Sequence, residues 1–317
     1  MAAGISVAIG LGATACSRDY VADYVYTVSA SGPNINAFAV DYQSGILTQV
    51  TGSPFQTGFK RETTLTPSPD GKFLYVLSGP EDSAVEAFAV GTDGKLYGQK
   101  TYTLGGGTYP TSMAIDSAGK FLYITFTFQP GFTPVSPGPG GVTIFPVNTD
   151  GSLGDPVVTA AAGNTPFGFD YTTRGQVVVS EAGSATASSY ETNADGSLSV
   201  VSAAAPTLQR APCWLIVNNS GRFAYTANAG TSNITGFSID AKGTLTRLAA
   251  SGVTADLGAG AQPLDLDMSR NGDFLYVMKN GTGTVGGFAV NGDGSLTPLP
   301  DTPGLAARAG YMGLAAY

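Results

Sequence analysis

The sequence predicts an all-β protein, a β-propeller built from four-stranded antiparallel blades. Two observations support this fold class. A strand centred on tyrosine recurs six times at spacings of 47 to 55 residues, and its central residues are Tyr26, Tyr75, Tyr123, Val178, Tyr225 and Tyr276. The chain is also rich in glycine, with 44 residues, and only 12% of its residues are charged. A unit of four strands repeated at this period is typical of a propeller blade.

Each repeat contains four predicted strands, which we call a to d in chain order. Strand a is often opened by proline, as in PFGFDY and PLDLDMS, and a Gly turn such as SPDGK connects it to the tyrosine strand b. Strand c ends in an aromatic-x-aliphatic pair, as in AFAV and GFSI, and a turn such as DG leads to a Leu-containing strand d. Asp-Gly turns supply the positive φ angles that two-residue hairpins require.

The repeats predict six blades in one domain, residues 20–317, with seven blades as the alternative. The first unit holds only strands b, c and d, and the chain stops at a lone strand a, GYMGLAAY at 310–317. Pairing of the two terminal segments in one blade would close the ring and remove a free sheet edge. The longest interval between repeats is explained by a Pro/Gly-rich insertion at 129–141.

Residues 1–19 form a predicted leader that resembles a bacterial lipoprotein signal. The stretch AAGISVAIGLGATAC, residues 2–16, is too short to span a bilayer and ends in small residues before Cys16. We therefore expect an extracytoplasmic protein, periplasmic or at the cell surface, with Cys16 as a lipid attachment site. The alternative is a leader that is simply removed, and the sequence leaves cleavage and lipidation open.

Composition excludes several classes of chemistry. The chain has no histidine, so it cannot form a Ser-His-Asp system or a His-ligated metal site. Two cysteines cannot build a disulfide framework. A net charge of −8 disfavours binding to nucleic acid. We expect no cofactor, no metal and no nucleic-acid partner, and a membrane contact only through a lipid anchor.

The repeat unit P…SPDGKFLYV…V-x-x-F-x-V…DG-x-L resembles the lactonase-type propellers, which include 6-phosphogluconolactonase and carboxymuconate-lactonising enzymes. It is also similar to YVTN-repeat surface proteins. The resemblance covers residues 20–317 and implies seven blades, a Pro-Arg-His opening of one strand a and a Glu after the following strand b. This chain has Pro212, Cys213 and Trp214 at the first place and Ala229 at the second. No catalytic residue is therefore carried over.

Candidate site residues fall on the propeller face that carries the b–c and d–a connections. Aligning the repeats brings these charged and polar residues to the channel mouth: Lys60, Arg61, Arg210, Arg308, Lys279, Asn228 and Glu181. Such a cluster would bind a carboxylate, phosphate or sugar acid through charge-assisted hydrogen bonds. Glu181 is a weak candidate for a general base. The alternative is that these are solvated loop charges that pair with one another.

The other repeated features have structural interpretations. We expect the aspartates of the DG turns to be turn formers, and the strand c aromatics, such as Phe88 and Phe237, to pack between blades. Trp214 is predicted to be buried beside Cys213, which would be an inert thiol. The 129–141 insertion lies on the same face as the charged cluster, where it would be a surface loop or a docking strip for a protein partner.

Three functions remain open from the sequence. The leading interpretation is an exported binding or interaction module that takes an acidic or polyhydroxylated small ligand at the mouth or docks a protein. The alternative is a lactone hydrolase acting on a 6-phosphogluconolactone-like or muconolactone-like ring. A structural envelope or matrix protein is the third. The missing family residues at Cys213, Trp214 and Ala229 favour a protein without catalytic activity.

Overall fold

The computed structural model describes residues 21–29, 32–41, 46–60, 62–79, 81–105, 108–127, 139–269, 271–308 and 314. These residues form 26 β-strands and no helix, so this part of the chain holds no helical segment able to cross a membrane. The strands make six antiparallel sheets arranged in a ring. The protein is a six-bladed β-propeller, as the repeat count predicts and not with the seven blades that the resemblance implies.

The strands of the first three blades follow one another along the chain. Blade 1 contains β1 (Val21–Ser29), β2 (Gly32–Asp41), β3 (Leu47–Gln49) and β4 (Phe55–Gln56). Blade 2 contains β5 (Glu62–Pro67), β6 (Phe73–Ser78), β7 (Ala84–Val90) and β8 (Leu96–Thr103). Blade 3 contains β9 (Tyr109–Ile115), β10 (Phe121–Thr127), β11 (Gly140–Pro146) and β12 (Val157–Ala160).

The remaining three blades repeat this order. Blade 4 contains β13 (Pro166–Tyr171), β14 (Val177–Glu181), β15 (Thr186–Thr192) and β16 (Leu198–Pro206). Blade 5 contains β17 (Pro212–Val217), β18 (Phe223–Asn228), β19 (Asn233–Ile239), β20 (Leu245–Arg247) and β21 (Ala255–Asp256). Blade 6 contains β22 (Pro263–Met268), β23 (Phe274–Lys279), β24 (Thr284–Val290), β25 (Leu296–Pro298) and β26 (Thr302–Pro303).

The innermost strands, β5, β9, β13, β17 and β22, pack in series around the ring, and β1 packs on β5. In blades 1, 5 and 6 the outermost strand is split into two short segments that both pair with strand c. The predicted closing strand at 310–317 lies outside the described residues except for Leu314. The backbone N–H of Leu314 donates to Asp265 Oδ2 at 2.8 Å, which puts this residue beside β22.

The hydrophobic core lies between the blades, as five clusters each shared by two neighbours. The predicted inter-blade role of the strand c aromatics is confirmed for the residues that these clusters bury: Phe88, Phe145, Tyr190, Phe237 and Phe288. The strand b runs are buried on both sides, because each blade is covered on both faces. Burial of apolar side chains between neighbouring blades therefore supplies the main stabilisation of the ring.

In three blades the repeated tyrosine fastens the blade to the Gly turn of the next. Three buried or half-buried hydroxyls donate to turn carbonyls: Tyr26 to Gly94 at 2.8 Å, Tyr75 to Gly151 at 3.0 Å and Tyr225 to Gly294 at 2.9 Å. Blade 4 has Val178 at this position, and Ser189, its cross-strand partner, donates to the Gly243 carbonyl at 2.6 Å instead. The tyrosine strand and the DG turn therefore recur together because they are the two halves of one contact.

The connections form two distinct faces. The b–c and d–a connections meet on the face that we call the loop face, where the Gly230 N–H donates to the Arg210 carbonyl at 3.0 Å. The a–b and c–d hairpins form the opposite, hairpin face. Its aspartates are turn formers as predicted: Asp195 Oδ1 accepts the Ser197 N–H at 3.0 Å and its hydroxyl at 2.7 Å. These bonds to Ser197 lower the pKa of Asp195.

Candidate functional site

Three of the predicted cations, Lys60, Arg210 and Arg308, are exposed on the loop face. Backbone contacts fix each of them to a neighbouring b–c connection. The Lys60 N–H donates to Asp82 Oδ2 at 2.9 Å, and the Arg308 N–H donates to the Asn280 carbonyl at 2.6 Å. Within the described part of the chain, none of the three side chains forms a salt bridge. Their charges therefore face solvent.

The structure places Glu181 inside blade 4 and not at the mouth. The side chain is fully buried, and its Oε1 accepts the Gly163 N–H and the Ser188 hydroxyl, both at 2.7 Å. The Thr186 hydroxyl donates to Oε2 at 2.6 Å. The Glu181 carboxylate therefore links strand c, through Thr186 and Ser188, to the d–a connection, through Gly163. It can do so because the last side chain of strand b points into the interior of the blade.

Lys279 and Asn228 occupy the same position, the last residue of strand b, and are buried in the same way. Lys279 Nζ donates to both carboxylate oxygens of Asp301 at 2.8 Å. The Asn228 amide donates to Asn233 Oδ1 at 2.8 Å and Thr235 Oγ1 at 2.9 Å. The expected ring of seven mouth residues is thus corrected, since its strand b members point outward into their own blades.

Two other predicted site residues, Arg61 and Cys16, lie outside the described residues. So does most of the 129–141 insertion, the proposed docking strip, of which only the end enters β11. Among the described residues, no group of three or more His, Cys, Asp or Glu side chains could hold a metal ion.

The backbone is strained where the chain enters the innermost strands from the loop face. Thr165, Ala211 and Gln262 each precede the proline that opens strand a, and their φ angles are 55°, 52° and 46°. Left-handed backbone costs a non-glycine residue about 1–2 kcal/mol. In two of the three blades the strained carbonyl accepts the first N–H of the facing b–c connection, at 2.9 Å. These three strained residues lie on the loop face, at the entrances to β13, β17 and β22.

Three aspartates lie on the described innermost strands, where sequence reasoning proposed no site. Asp170 belongs to β13, and Asp265 and Asp267 belong to β22. Each accepts the N–H of the residue that follows it, at 2.7 to 2.8 Å. The inner edge of strand a has no further strand to pair with, so its N–H groups need acceptors, and these side chains provide them.

Asp170 has the most altered chemistry of the three. Its Oδ2 accepts the Val217 N–H of the next blade at 2.8 Å. Burial raises the pKa of Asp170 to about 6, helped by the Asp267 carboxylate and opposed by the N–H bonds from Val217 and Tyr171. A half-buried carboxylate with a pKa near neutrality is suited to general acid–base chemistry. The signal in the sequence was Asp at the same strand position in PFGFDY and PLDLDM.

Trp214 stands where the family resemblance places a histidine. It is half-buried, and not fully buried as predicted, and it packs against the core between blades 5 and 6. Its ring meets the Phe167 ring edge-to-face with centroids 5.1 Å apart. The neighbouring Cys213 is buried, and desolvation raises the pKa of its thiol to about 12, which makes it unreactive as predicted.

The ring of four-stranded blades, the exposed cations of the loop face and the carboxylates of the innermost strands define a β-propeller with charged groups on one face and along its inner strands. The chain belongs to the lactonase family of propellers: the family model described as "Lactonase, 7-bladed beta-propeller" matches residues 20–297. The six blades of this chain depart from the number in that description.

Solved structures with the same fold include three enzymes or candidate enzymes. The periplasmic gluconolactonase of Pseudomonas aeruginosa has 21% identity and a TM-score of 0.68, over 89% of this chain and 82% of that one. A proposed 6-phosphogluconolactonase from Bacteroides uniformis has 21% identity and a TM-score of 0.71, over 90% and 83%. Virginiamycin B lyase from Staphylococcus aureus has 15% identity and a TM-score of 0.56, over 92% and 87%. At these identities the likeness shows the fold alone. A sequence comparison with curated proteins finds no match.

Proposed function

We propose that the protein is a lactone hydrolase whose acid–base group is Asp170. The observation that carries this proposal is the pair of channel carboxylates, Asp170 and Asp267, in a chain of the lactonase family. Asp170 in its ionised form takes a proton from water, whose oxygen bonds to the ring carbonyl carbon. The ring C–O bond then breaks, and the leaving alkoxide receives the proton from the Asp170 carboxyl. The product is the open hydroxy acid.

The exposed cations serve this reaction from a distance. Arg210 precedes the first residue of β17, whereas Asp170 is the fifth residue of β13, so the two lie near opposite ends of the inner strands. Five strand residues span about 16 Å, more than one sugar lactone can bridge. Lys60, Arg210 and Arg308 therefore attract an acidic lactone to the mouth and do not hold it during the chemistry.

The test is hydrolysis of glucono-δ-lactone and 6-phosphogluconolactone by the full-length protein, measured above the spontaneous rate. Asp170→Asn should reduce the rate at least about 100-fold, the usual contribution of a general base. The matched control is Asp195→Asn, a change in an exposed turn, which should leave the rate unaltered. Wild-type activity should fall as the pH drops below about 6, because the base becomes protonated. Hydrolysis no faster than in buffer contradicts the proposal.

A second function, ligand binding without turnover, is favoured by a different observation. Cys213, Trp214 and Ala229 replace the three residues that the family resemblance leads one to expect. In this case a sugar acid should raise the melting temperature, and the effect should disappear at high salt and in a Lys60→Ala, Arg210→Ala, Arg308→Ala triple variant. If neither hydrolysis nor anion binding is measurable, the structural interpretation of an envelope or matrix protein is the one left.

We further propose that the protein works outside the cytoplasm. The leader-like residues 2–16 support this location, as does the fold shared with a gluconolactonase that is named periplasmic. Cell fractionation of the full-length chain, with Cys16→Ala as the variant, separates export from lipid anchoring. Release of the variant into the soluble periplasmic fraction indicates an anchor at Cys16, and recovery in the cytoplasm contradicts export.

A further inference from the structure

A cleft of about 470 Å³ opens between blades 3 and 4 on the hairpin face. This is the face opposite the exposed cations, and Tyr171, which lines the cleft, directly follows Asp170 in β13. Its walls are the a–b hairpins of both blades and the c–d turn of blade 4. The volume falls within the range of about 300–1,000 Å³ that is usual for small-ligand sites.

The cleft coincides with an exception in the contact that fastens the blades together. At the other described tyrosine junctions, the strand b hydroxyl donates to the Gly carbonyl of the next c–d turn. The Tyr123 hydroxyl instead shares a hydrogen bond with Thr192 Oγ1 at 3.0 Å. At this junction the tyrosine therefore bonds to the last residue of strand c in the next blade, and not to the turn that follows strand c.

Tyr171 gives a physical cause for this exception. It is the last residue of its strand a, where the other blades have Pro67, Ile115, Val217 and Met268. Its ring packs edge-to-face on Tyr123 with centroids 5.3 Å apart, and Phe121 packs on the other side of Tyr123 at 6.3 Å. The larger side chain occupies space at the junction and produces a row of three aromatic rings that line the cleft.

The polar rim is fixed and carries little net charge. Asp116 Oδ1 accepts the backbone N–H groups of Lys120 at 2.6 Å and Phe121 at 3.0 Å, which holds its hairpin in place. Arg174 Nη2 donates to the Asp240 carbonyl in blade 5 at 2.9 Å, so its charge is directed out of the cleft. Thr173 adds a hydroxyl group, whereas the Asn193 amide bonds to Ser197 and Ser199 of its own hairpin. Aromatic rings beside fixed polar groups suit a neutral polyhydroxylated ring, whereas the Asp116 carboxylate disfavours an anion.

We infer that this cleft between blades 3 and 4 is a binding site for a neutral saccharide. The partly exposed rings of Phe121 and Tyr171 contact the apolar face of a sugar ring, and the rim groups bond its hydroxyls. The site takes uncharged sugars on the hairpin face, while the cations of the loop face act on acidic ones.

Isothermal titration calorimetry of the full-length protein with maltose, cellobiose and lactose tests the inference, with gluconate as the charged comparison. At least one disaccharide should bind with a Kd of about 1 mM or tighter, and at least about 10-fold more tightly than gluconate. No disaccharide binding below about 10 mM, or equal binding of gluconate, overturns the proposal.

Two variants locate the site. Ala194→Trp fills the cleft from the c–d turn of blade 4, and Ala241→Trp makes the same change at the equivalent exposed turn position of blade 5. Binding should weaken at least about 10-fold only in the first. Tyr171→Phe should keep binding, and Tyr171→Val should lose it. Equal effects of the two tryptophan variants place any binding elsewhere and refute the inference.

Discussion

Replacing Glu181 tests whether its carboxylate stabilises the fold or takes part in catalysis. The sequence made this residue a weak candidate for a general base, whereas the structure buries it among four donors. Two substitutions remove different parts of the arrangement. Glu181→Gln keeps one acceptor oxygen and the side-chain shape, and Glu181→Ala removes every acceptor.

The expected magnitudes follow from the bonds. Three donors lie 2.6 to 2.7 Å from the carboxylate, from Gly163, Thr186 and Ser188. A hydrogen bond to a charged group contributes about 1.5–3 kcal/mol, against about 1 kcal/mol for a neutral pair. Glu181→Gln should thus lower the free energy of unfolding by about 2 kcal/mol. Glu181→Ala leaves buried donors without partners and should lower it by about 4 kcal/mol.

Urea unfolding followed by tryptophan fluorescence measures these changes, with Glu191→Ala as the control. Glu191 is exposed on the same strand c, and its substitution should alter stability by less than about 0.5 kcal/mol. Lactone hydrolysis by the folded fraction of Glu181→Gln should equal that of the wild type. Wild-type stability together with lost hydrolysis would refute the structural role and make Glu181 a participant in the chemistry.

The remaining predictions concern three other buried positions. Because the pKa of Asp170 is raised in the folded state, lowering the pH from 7.5 to 4.5 should stabilise the wild type relative to Asp170→Asn, by about 2 kcal/mol in urea melts; a difference independent of pH contradicts the raised pKa. Gly168→Ala should cost more than about 3 kcal/mol, because the new Cβ would lie 2.7 Å from backbone atoms of the next blade, whereas Gly292→Ala, with open space around it, should cost less than about 1 kcal/mol. The Cys213 thiol should stay unmodified by a thiol reagent at pH 8 until the protein unfolds; rapid labelling of the folded protein would show that it is accessible.

The fold was predictable because each repeat carries several independent sequence signals for the same structure. The tyrosine strand, the aromatic of strand c and the DG turn are separate signals that agree, and Tyr225 bonded to Gly294 shows why they must occur together. The hydrogen bond itself could not be predicted, since it joins residues of neighbouring units. Blade 4 has Val178 in place of the tyrosine, yet Ser189 on the facing strand keeps the contact.

The site was less predictable, because the repeat alignment fixes where a residue lies along a strand but not which way its side chain turns. Lys60 and Lys279 were assigned to the same mouth, yet one side chain is exposed and the other is buried against Asp301. A connection can present its side chain to solvent, whereas the last residue of strand b must continue the alternation of its strand. The channel carboxylates were missed for a related reason: Asp170 reads as one polar residue in an otherwise apolar strand.

The close packing of β13 and β17 explains the altered chemistry of Asp170. These two innermost strands are so close that a Cβ on Gly168 would meet the backbone of Leu215 at 2.7 Å. At this separation the Asp170 carboxylate reaches the Val217 N–H of the next blade, and the same proximity removes part of its hydration, which raises its pKa. The raised pKa of Asp170 therefore depends on the glycine at position 168, which allows the two strands to approach.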